Sequence, residues 1–517
     1  MSASSLELQV SWGVPCEFPE GRASKHSAVP CTSETAASEE DQNHLLEPFI
    51  ELMSQMKATR PQHLRGIRAF RVLQRAPCSW RRGRLHQLYA LSEAAHELDE
   101  FWSHSWQTRP VFKYTNVLFL NNGLPAFAVG TLCAVVFFCL RASGSVSWQN
   151  LCVPCGAVGY YLTLLLWRRR KLVFLDAACI HQTDKTLKAE GILSLGAILK
   201  CSRSLVVLWD ETYVSRLWCM FEMAAFLRSH KHREQERHAS VVICPVLVGP
   251  ALLLGNLGAS IMLTIFKASE GPFGPRRLPI IGILAFPCLT LLAYVVLKHS
   301  RSIEAMQAQV RCFTIKDSSS SCCAVGHSDP DTVCDRDIIL RCIAAWFGTT
   351  EHFESTVRST LLTALIHQLA NRTFSYWRIV QASCPVGWVF LDYISQDPPE
   401  TASLLCRAVN YWLLLLPSTA VVMLRLTYKS RHLCEGLVGQ LLLSIGLVGC
   451  WVLLCGSLLM LNEFILPELL GGSLRGALVG LFVMGILNLW LWRCLPAIRA
   501  SPSAPADGAS SHSLSSL

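Results

Sequence analysis

The chain has few charged side chains for its 517 residues, because Asp, Glu, Lys and Arg make up only 16% of it. Apolar residues make up 51%, and the mean hydropathy is positive at +0.34. This composition is typical of membrane proteins rather than of water-soluble domains. The formal charge of +9 is modest for this length, so we expect a lipid bilayer and no nucleic acid as a partner.

The first 47 residues lack the basic start and the apolar run of a secretory signal peptide. They are polar, so we expect residues 1–47 to form a disordered tail and residues 493–517, rich in Ser and Pro, to form a second one. The 23 cysteines show no regular framework in polar loops, and many lie in apolar runs. This pattern argues against a fold held together by disulfides.

No group of Cys and His residues has the regular spacing of a common zinc site. One irregular set lies in a Ser-rich stretch and consists of Cys322, Cys323, His327 and Cys334. Reduced thiols in a loop are the simpler interpretation, and zinc binding is the alternative. We therefore assign no metal site from the sequence.

Seven apolar runs are long enough, or nearly so, to cross a bilayer, which takes ~20 residues in a helix. They lie at 116–140, 151–167, 240–266, 278–297, 409–424, 437–461 and 476–492. The first two form a transmembrane hairpin (116–167), the next two a second hairpin (240–297), and the last three lie within 409–492. Seven crossings would place the two termini on opposite sides.

Four basic residues, Arg168 to Lys171, follow the first hairpin and predict that its ends face the cytoplasm. Residues 48–97 look helical and carry eight arginines between Arg60 and Arg84. A solvated helical face is the simpler interpretation of this basic segment, and contact with anionic lipid is the alternative. Helical spacing of apolar positions within 298–408 predicts a small helical region in the cytoplasm.

Between Leu172 and Arg228, short β-branched and apolar runs alternate with helical patterns. The runs 172–176 and 204–209 are predicted strands, and 192–200 has the apolar spacing of a helix. This alternation predicts a parallel α/β sheet. Ligands in such sheets bind beyond the carboxyl ends of the strands, where Asp176, Asp210 and Glu222 fall.

Several short motifs in this stretch resemble those of a TIR (Toll/interleukin-1 receptor-like) domain. They are the strand end Phe174–Asp176, Gly191, the strand Ser202–Leu208, Tyr213, Ser215, and Trp218-Cys219 with Glu222. Upstream, Leu98–Ser105 is similar to the first strand of that family. The departures are wider spacing between Ser215 and Trp218, Met223 where the family usually has leucine, a long loop at 176–191, and the apolar insertion after the first strand.

The resemblance implies a flavodoxin-like parallel sheet, split by the first hairpin into residues 98–115 and 168–238. A hairpin returns the chain to the side on which it started, so the strands before and after it can join one sheet. The expected fold class is therefore an α/β TIR-like domain facing the cytoplasm, combined with about seven transmembrane helices and a small helical region. Self-association between TIR-like domains is an implied partner interaction.

The resemblance also implies an activity, because some TIR domains cleave the nicotinamide–ribose bond of NAD. Glu222 corresponds to the family's catalytic glutamate, and its carboxylate would stabilise the positive charge that develops on the ribose. Nicotinamide leaves as a neutral group, so a general acid is not required. The chain would then be an NAD nucleosidase, a hydrolase that takes NAD as its substrate and needs no cofactor. The residues expected to contact the nucleotide are Ser103, His104, Trp106, Lys113, Asp176 and Trp218.

Two other functions stay open. Many TIR domains are adaptors in signal transduction that act by self-association without catalysis, and a glutamate near a helix start also offsets the helix dipole. A membrane transporter or channel is the third class, because seven apolar runs would suit it. However, the cores of these runs contain none of the ionisable residues that coupled transporters place at mid-membrane.

Overall fold

The computed structural model describes residues 47–230, 240–268, 277–320, 323, 334–371 and 373–494. Most of these residues are helical, and six short strands form one small mixed sheet. Five of the described helices are long and apolar enough to cross a membrane. The two predicted tails lie outside the described residues, except at residue 47 and at residues 493–494.

Six strands form the sheet. They are β1 (Arg65–Arg68), β2 (Glu93–Ala94), β3 (Leu98–His104), β4 (Leu172–Phe174), β5 (Ser202–Trp209) and β6 (Ser240–Pro245). Their order is β2-β1-β4-β3-β5-β6. Strands β4, β3, β5 and β6 run parallel, whereas β1 pairs antiparallel with both β2 and β4. In chain order the parallel part reads second, first, third, fourth, which is the flavodoxin-like arrangement.

The centre of the sheet is formed by buried apolar side chains. Residues 205–209 of β5 are all buried, as expected for a parallel strand that is covered on both faces. Phe101 of β3 lies opposite Leu205 of β5, and its ring stacks on that of Phe174 in β4 at 4.6 Å. The register continues to His104 opposite Leu208, so β3 and β5 end side by side.

Two predictions about segment boundaries are wrong. Residues 48–97 are not wholly helical, because β1 and β2 lie within them and extend the sheet. Residues 240–245, predicted as the start of an apolar hairpin, form β6 and pair with β5 along their whole length. A short apolar run suits a buried strand as well as the start of a membrane helix, so the run alone did not distinguish them.

The helices are α1 (47–54), α2 (Ala69–Arg81), α3 (Pro110–Ala142), α4 (Cys152–Leu166), α5 (Asp176–Cys179), α6 (Lys185–Leu193), α7 (Leu195–Lys200), α8 (Leu217–His230), α9 (Val248–Ala268), α10 (Arg277–Arg311), α11 (Asp335–Phe347), α12 (Thr350–Thr356), α13 (Leu362–Asn371), α14 (Tyr376–Ala382), α15 (Cys384–Gln396), α16 (Thr401–Val409), α17 (Leu416–Ser430), α18 (Gly436–Met460), α19 (Leu466–Leu469) and α20 (Ser473–Cys494). Short 3-10 helices occur at Pro61–His63, Leu85–Leu91, Ile315–Asp317 and Pro398–Glu400. One π-helical turn joins each of three helix pairs: α12 and α13 (Val357–Leu361), α16 and α17 (Asn410–Leu415), and α18 and α19 (Leu461–Ile465).

The apolar hairpin α3–α4 makes the crossover between β3 and β4. Helix α3 has 33 residues and is therefore about 50 Å long, well beyond the thickness of a bilayer core. Gly130 and Gly159 lie where the two helices meet, and a Cβ on Gly130 would come within 2.8 Å of the Gly156 carbonyl. The hairpin returns the chain to the sheet, so β3 and β4 pair in parallel across the insertion, as expected.

The apolar helices agree with the sequence in part. Helices at Pro110–Ala142, Val248–Ala268, Pro398–Ser430, Gly436–Leu469 and Ser473–Arg493 meet the length and hydropathy of a membrane span. The predicted run at 151–167 corresponds to α4, which is apolar but has only 15 residues. The run at 278–297 lies within the 35-residue helix α10.

The described residues of the predicted helical region at 298–408 are mostly helical, except for a segment at 312–320 that contains only one short 3-10 helix, and the helices lie in two places. Helices α11 to α13 pack beside the sheet, where the Gln368 side chain bonds with the backbone of Val241 and Ile243 in β6. Helices α14 and α15 lie instead against α3, α4 and α9. Helices α14 and α15 therefore pack in the apolar helix bundle, apart from α11 to α13.

Candidate functional site at the switch point of the sheet

A cleft lies beside the carboxyl end of β3, where the order of strands reverses between β3 and β5. It encloses about 620 Å³, including its open mouth. Ligands of doubly wound sheets bind at this kind of position. Five of the seven residues predicted to form the site line the cleft, namely His104, Trp106, Asp176, Trp218 and Glu222.

Glu222 lies in α8 and points toward the end of β3. The hydroxyl of Ser103, the penultimate residue of β3, donates a hydrogen bond of 2.5 Å to Glu222 Oε2. Ser103 itself is buried and 1% exposed. It therefore supports the glutamate from beneath, which corrects the prediction that Ser103 contacts a ligand directly.

Tyr213 extends this contact into the core. Its hydroxyl lies 2.7 Å from Ser103 Oγ, and its side chain is fully buried. Because the single Ser103 hydrogen is donated to Glu222, Tyr213 must be the donor to Ser103. Burial raises the pKa of Tyr213 well above its usual value, so the phenol keeps its proton. The three side chains form one directed chain of hydrogen bonds that ends on the Glu222 carboxyl.

The Glu222 carboxyl has an unusual affinity for protons. Burial raises its pKa to about 8, the hydrogen bond from Ser103 opposes this rise, and the negative charge of Asp176 adds to it. A carboxyl that changes charge near neutral pH is a feature of many catalytic sites, because burial against a cleft is what shifts it.

Asp176 lies opposite, where β4 ends and α5 begins. It accepts hydrogen bonds from Trp106 Nε1 at 3.0 Å and from the Ala177 amide at 2.7 Å. His104 Nε2 lies 4.0 Å from Asp176 Oδ1, and the rings of His104 and Trp106 are tilted with their centroids 5.3 Å apart. Burial lowers the pKa of His104, so its imidazole is neutral at pH 7. This wall of the cleft presents aromatic faces and one carboxylate.

Two polar residues near the cleft support its loops. Lys113, predicted to contact the nucleotide, donates from Nζ to the Ser105 carbonyl at 2.9 Å and is not on the cleft wall. Its predicted ligand contact is therefore not supported. Asp210, at the end of β5, accepts from the Thr212 amide at 2.7 Å and from the Thr108 hydroxyl. The bond between Thr108 and Asp210 ties the loops after β3 and β5 to each other. Lys113 instead holds the loop after β3 against the start of α3.

Trp218 forms the opposite lip, in the first turn of α8. Its indole Nε1 donates to Asp335 Oδ2 at 2.9 Å, and Asp335 is fully buried. Asp335 also accepts a hydrogen bond of 2.5 Å from the Ser320 hydroxyl. Trp218 is therefore oriented by residues more than a hundred positions further along the chain.

Three residues of this site were missed in the sequence. Lys188 of α6 and Arg216 before α8 line the cleft, and they bring positive charge to it. Arg216 lies between Ser215 and Trp218 in the TIR-like motif, so its place at the site could have been predicted from the sequence. Asp335 lies in no recognisable motif, and no local pattern links it to Trp218.

The described residues contain no group of three or more His, Cys, Asp and Glu side chains that is arranged to hold a metal ion. Of the four candidate zinc ligands, Cys322 and His327 lie outside the described residues. The Sγ atoms of Cys323 and Cys334 are 3.5 Å apart.

Comparison of the chain with protein-family models, with curated proteins and with solved structures returns no match.

Proposed function

We propose that the chain is a membrane-anchored signalling enzyme whose TIR-like domain hydrolyses NAD at the nicotinamide–ribose bond. The motifs similar to the TIR family fall on β3, β4, β5 and the start of α8, which line up around one sheet edge. The parallel strand order supports a flavodoxin-like fold for this domain. β6 (Ser240–Pro245) extends the proposed domain beyond residues 98–115 and 168–238.

The position of Glu222 is the single observation that carries the proposed chemistry. Its carboxyl lines a cleft at the strand switch point, and the chain from Tyr213 and Ser103 holds it there. Cleavage of the N-glycosidic bond develops positive charge on the ribose, which an adjacent carboxylate stabilises. NAD also brings a positive nicotinamide ring, and a nearby cation favours the ionised form of a carboxyl whose pKa is raised.

The rest of the cleft suits a dinucleotide. Trp106 and Trp218 offer aromatic surfaces to flat rings, and Arg216 and Lys188 offer positive charge to a diphosphate. No general acid is needed, because nicotinamide leaves without a charge. The neutral His104 is therefore placed on the wall rather than in the reaction.

The test is the release of nicotinamide from NAD by the detergent-purified full-length protein. Glu222→Gln keeps the size of the side chain but removes its charge, so we expect turnover to fall roughly 10²–10³-fold. Glu211→Gln is the matched control, because Glu211 is exposed in the loop just before α8. This control variant should turn over NAD like the wild type.

If neither the wild type nor Glu222→Gln releases nicotinamide from NAD, and both proteins are folded, the proposed activity is contradicted. The adaptor function would then be favoured, and clustering of the TIR-like domain that is insensitive to Glu222→Gln would support it. Equal activity in both proteins would show that the glutamate has no part in the chemistry.

The membrane part of the proposal is eight crossings instead of seven. The additional crossing is the segment 374–396, which contains α14 and α15. Phe374 packs against Val248 and Leu252 at the start of α9, and the Gln396 side chain bonds with Lys267 at its other end. The segment therefore runs along the whole of α9, and its helices cover about 30 Å.

The remaining helices run through the bundle in alternating directions, as eight crossings require. Ser473, the first residue of α20, bonds with Glu400 and Ser403 at the end of the bundle away from the sheet. Arg431, after α17, pairs with Glu304 of α10 at 2.9 Å on the sheet side. Eight crossings would place both termini on the side of the sheet, and the basic residues 168–171 would make this side cytoplasmic.

A further inference from the structure

The lip of the cleft that carries Arg216 and Trp218 is held by a segment from outside the α/β sheet. This segment, the connector, comprises residues 312–320 and follows α10 directly. The Ser319 amide donates to the Ser215 carbonyl at 2.7 Å, and the Leu217 amide donates to the Ser319 carbonyl at 3.1 Å. These bonds place Ser319 beside Arg216 as in a parallel strand pair.

Further bonds hold the connector and the loop that leads to Arg216. Arg336, in the first turn of α11, donates to the carbonyls of Ser318 at 2.7 Å and Lys316 at 2.6 Å. Gln309, near the end of α10, donates to the Glu211 carbonyl at 2.7 Å in the loop that leads to Arg216. The connector therefore has little freedom to move unless the loop moves with it.

Asp335 joins the connector to the aromatic lip. One carboxylate oxygen accepts from Trp218 Nε1 and the other accepts from the Ser320 hydroxyl, and both Asp335 and Ser320 are buried. Hydrogen bonds to a buried carboxylate are among the stronger ones in proteins, because the charge is shielded from water. The indole ring of Trp218 can thus adopt few orientations while this carboxylate is present.

We propose that Asp335 is a positioning residue that holds Trp218, and through the connector Arg216, in the orientation that binds a dinucleotide. The inference rests on the proposed function for its substrate. Asp335 touches no ligand, and it acts only through the two side chains that line the cleft. Its removal should weaken substrate binding more than it slows the chemical step at Glu222.

The test compares Asp335→Asn with Asp337→Asn in the full-length protein. Both substitutions remove one negative charge from the first turn of α11, but Asp337 is exposed. We expect Asp335→Asn to raise KM for NAD roughly tenfold, because it weakens a charge-assisted hydrogen bond, and to change kcat less than about twofold. Asp337→Asn should leave both constants unchanged.

Hydrogen exchange of the same proteins gives a readout that does not need turnover. In Asp335→Asn, amides in 210–220 and 312–320 should exchange faster, and those of β5 should not. Ser320→Ala keeps the carboxylate and removes one of its hydrogen bonds. It should raise KM for NAD and speed amide exchange in the same segments, but by less than Asp335→Asn does. This second variant keeps the test decisive if Asp335→Asn does not fold.

Three results would overturn the inference. One is a KM and an exchange pattern for Asp335→Asn that match those of Asp337→Asn. Another is a lower kcat at unchanged KM together with a lower melting temperature, because general destabilisation reduces the active fraction without changing substrate binding. The third is faster exchange throughout the sheet. If the wild type does not cleave NAD, the proposed activity fails, and hydrogen exchange alone decides whether Asp335 holds the lip.

Discussion

Glu222 is the residue whose charge decides the proposed chemistry. Burial raises its pKa to about 8, so most of the carboxyl is protonated at pH 7 when the cleft is empty. The stabilisation of a positive ribose requires the ionised form. The contrast between these two states makes the pH dependence of the reaction informative.

We expect kcat/KM for NAD to rise about tenfold per pH unit below pH 8 and to level off above it, because this ratio reports the ionisation of the free enzyme. The sign follows from the carboxylate being the active form. Measurement of initial rates from about pH 5.5 to 9.5 checks this expectation. A flat profile over that range would mean that the ionisation of Glu222 does not limit the reaction.

Ser103→Ala should move this profile to higher pH. The hydrogen bond from Ser103 stabilises the Glu222 carboxylate and lowers its pKa, so its loss raises the pKa further. Because the ionised fraction falls as the pKa rises, the rate at pH 7 should be lower in this variant than in the wild type. Ser105→Ala is the control, because the Ser105 hydroxyl pairs with Thr212. A profile that is equally displaced in both variants would contradict the assigned role of Ser103.

At the scale of elements, close contact between α4 and α15 fixes how the broken segment 374–396 joins the bundle. A Cβ on Gly156 of α4 would lie 2.6 Å from Trp388 Cε3 in α15. Trp388 also donates from Nε1 to the Thr131 hydroxyl of α3 at 3.2 Å. One aromatic residue therefore packs across both helices of the first hairpin, and only glycine permits this approach.

Gly156→Ala should lower the free energy of unfolding by about 1–3 kcal/mol, because the new methyl group overlaps the Trp388 ring. Gly446→Ala in α18 is the control, since no described atom outside its own helix lies within 4 Å of the added Cβ. The control should be unchanged or slightly more stable. Thermal unfolding in detergent measures both, and a second substitution, Trp388→Leu, should recover part of the loss. Equal melting temperatures for the two glycine variants would argue against the packing.

At the scale of the whole molecule, the number of crossings decides where each loop lies. Eight crossings place the loops near Gly144, Asp397 and Gly471 on the side away from the sheet, and the loop near His432 on the sheet side. If the chain instead crosses only at the seven predicted apolar runs, Asp397 and Gly471 lie on the sheet side and His432 lies on the side away from the sheet. The two arrangements therefore differ at three independent points.

A polar insert that carries one glycosylation sequon can test these loops one at a time in cells. We expect glycans on inserts at Gly144, Asp397 and Gly471 and none on an insert at His432. The insert at Gly144 is the positive control, since both arrangements place it on the far side. The natural sequon at 371–373, whose Arg372 lies outside the described residues, should stay unmodified. A glycan at His432 with none at Asp397 would refute the eighth crossing.

The parts of the site that depend on local patterns could be predicted from the sequence. Strand ends and helix starts leave a signature within a few residues, so Asp176, Asp210 and Glu222 could be predicted to lie at one edge of a parallel sheet. The resemblance to the TIR family added His104 and Trp218 to this set. The apolar composition indicated membrane helices for the same reason, since hydropathy is a property of a short window.

Contacts between residues that are distant in the chain could not be predicted from local patterns and depend on the folded structure. Ser103 faces Glu222 rather than the cleft, and Asp335 orients Trp218 across 117 positions, because such contacts leave no periodicity in the chain. The sequence of strand β6 is as apolar as the start of a membrane helix, and its pairing with β5 identifies it as a strand. Helices α14 and α15, the proposed eighth crossing, have no long apolar run in the sequence, because neighbouring helices bury their polar residues such as Asp392.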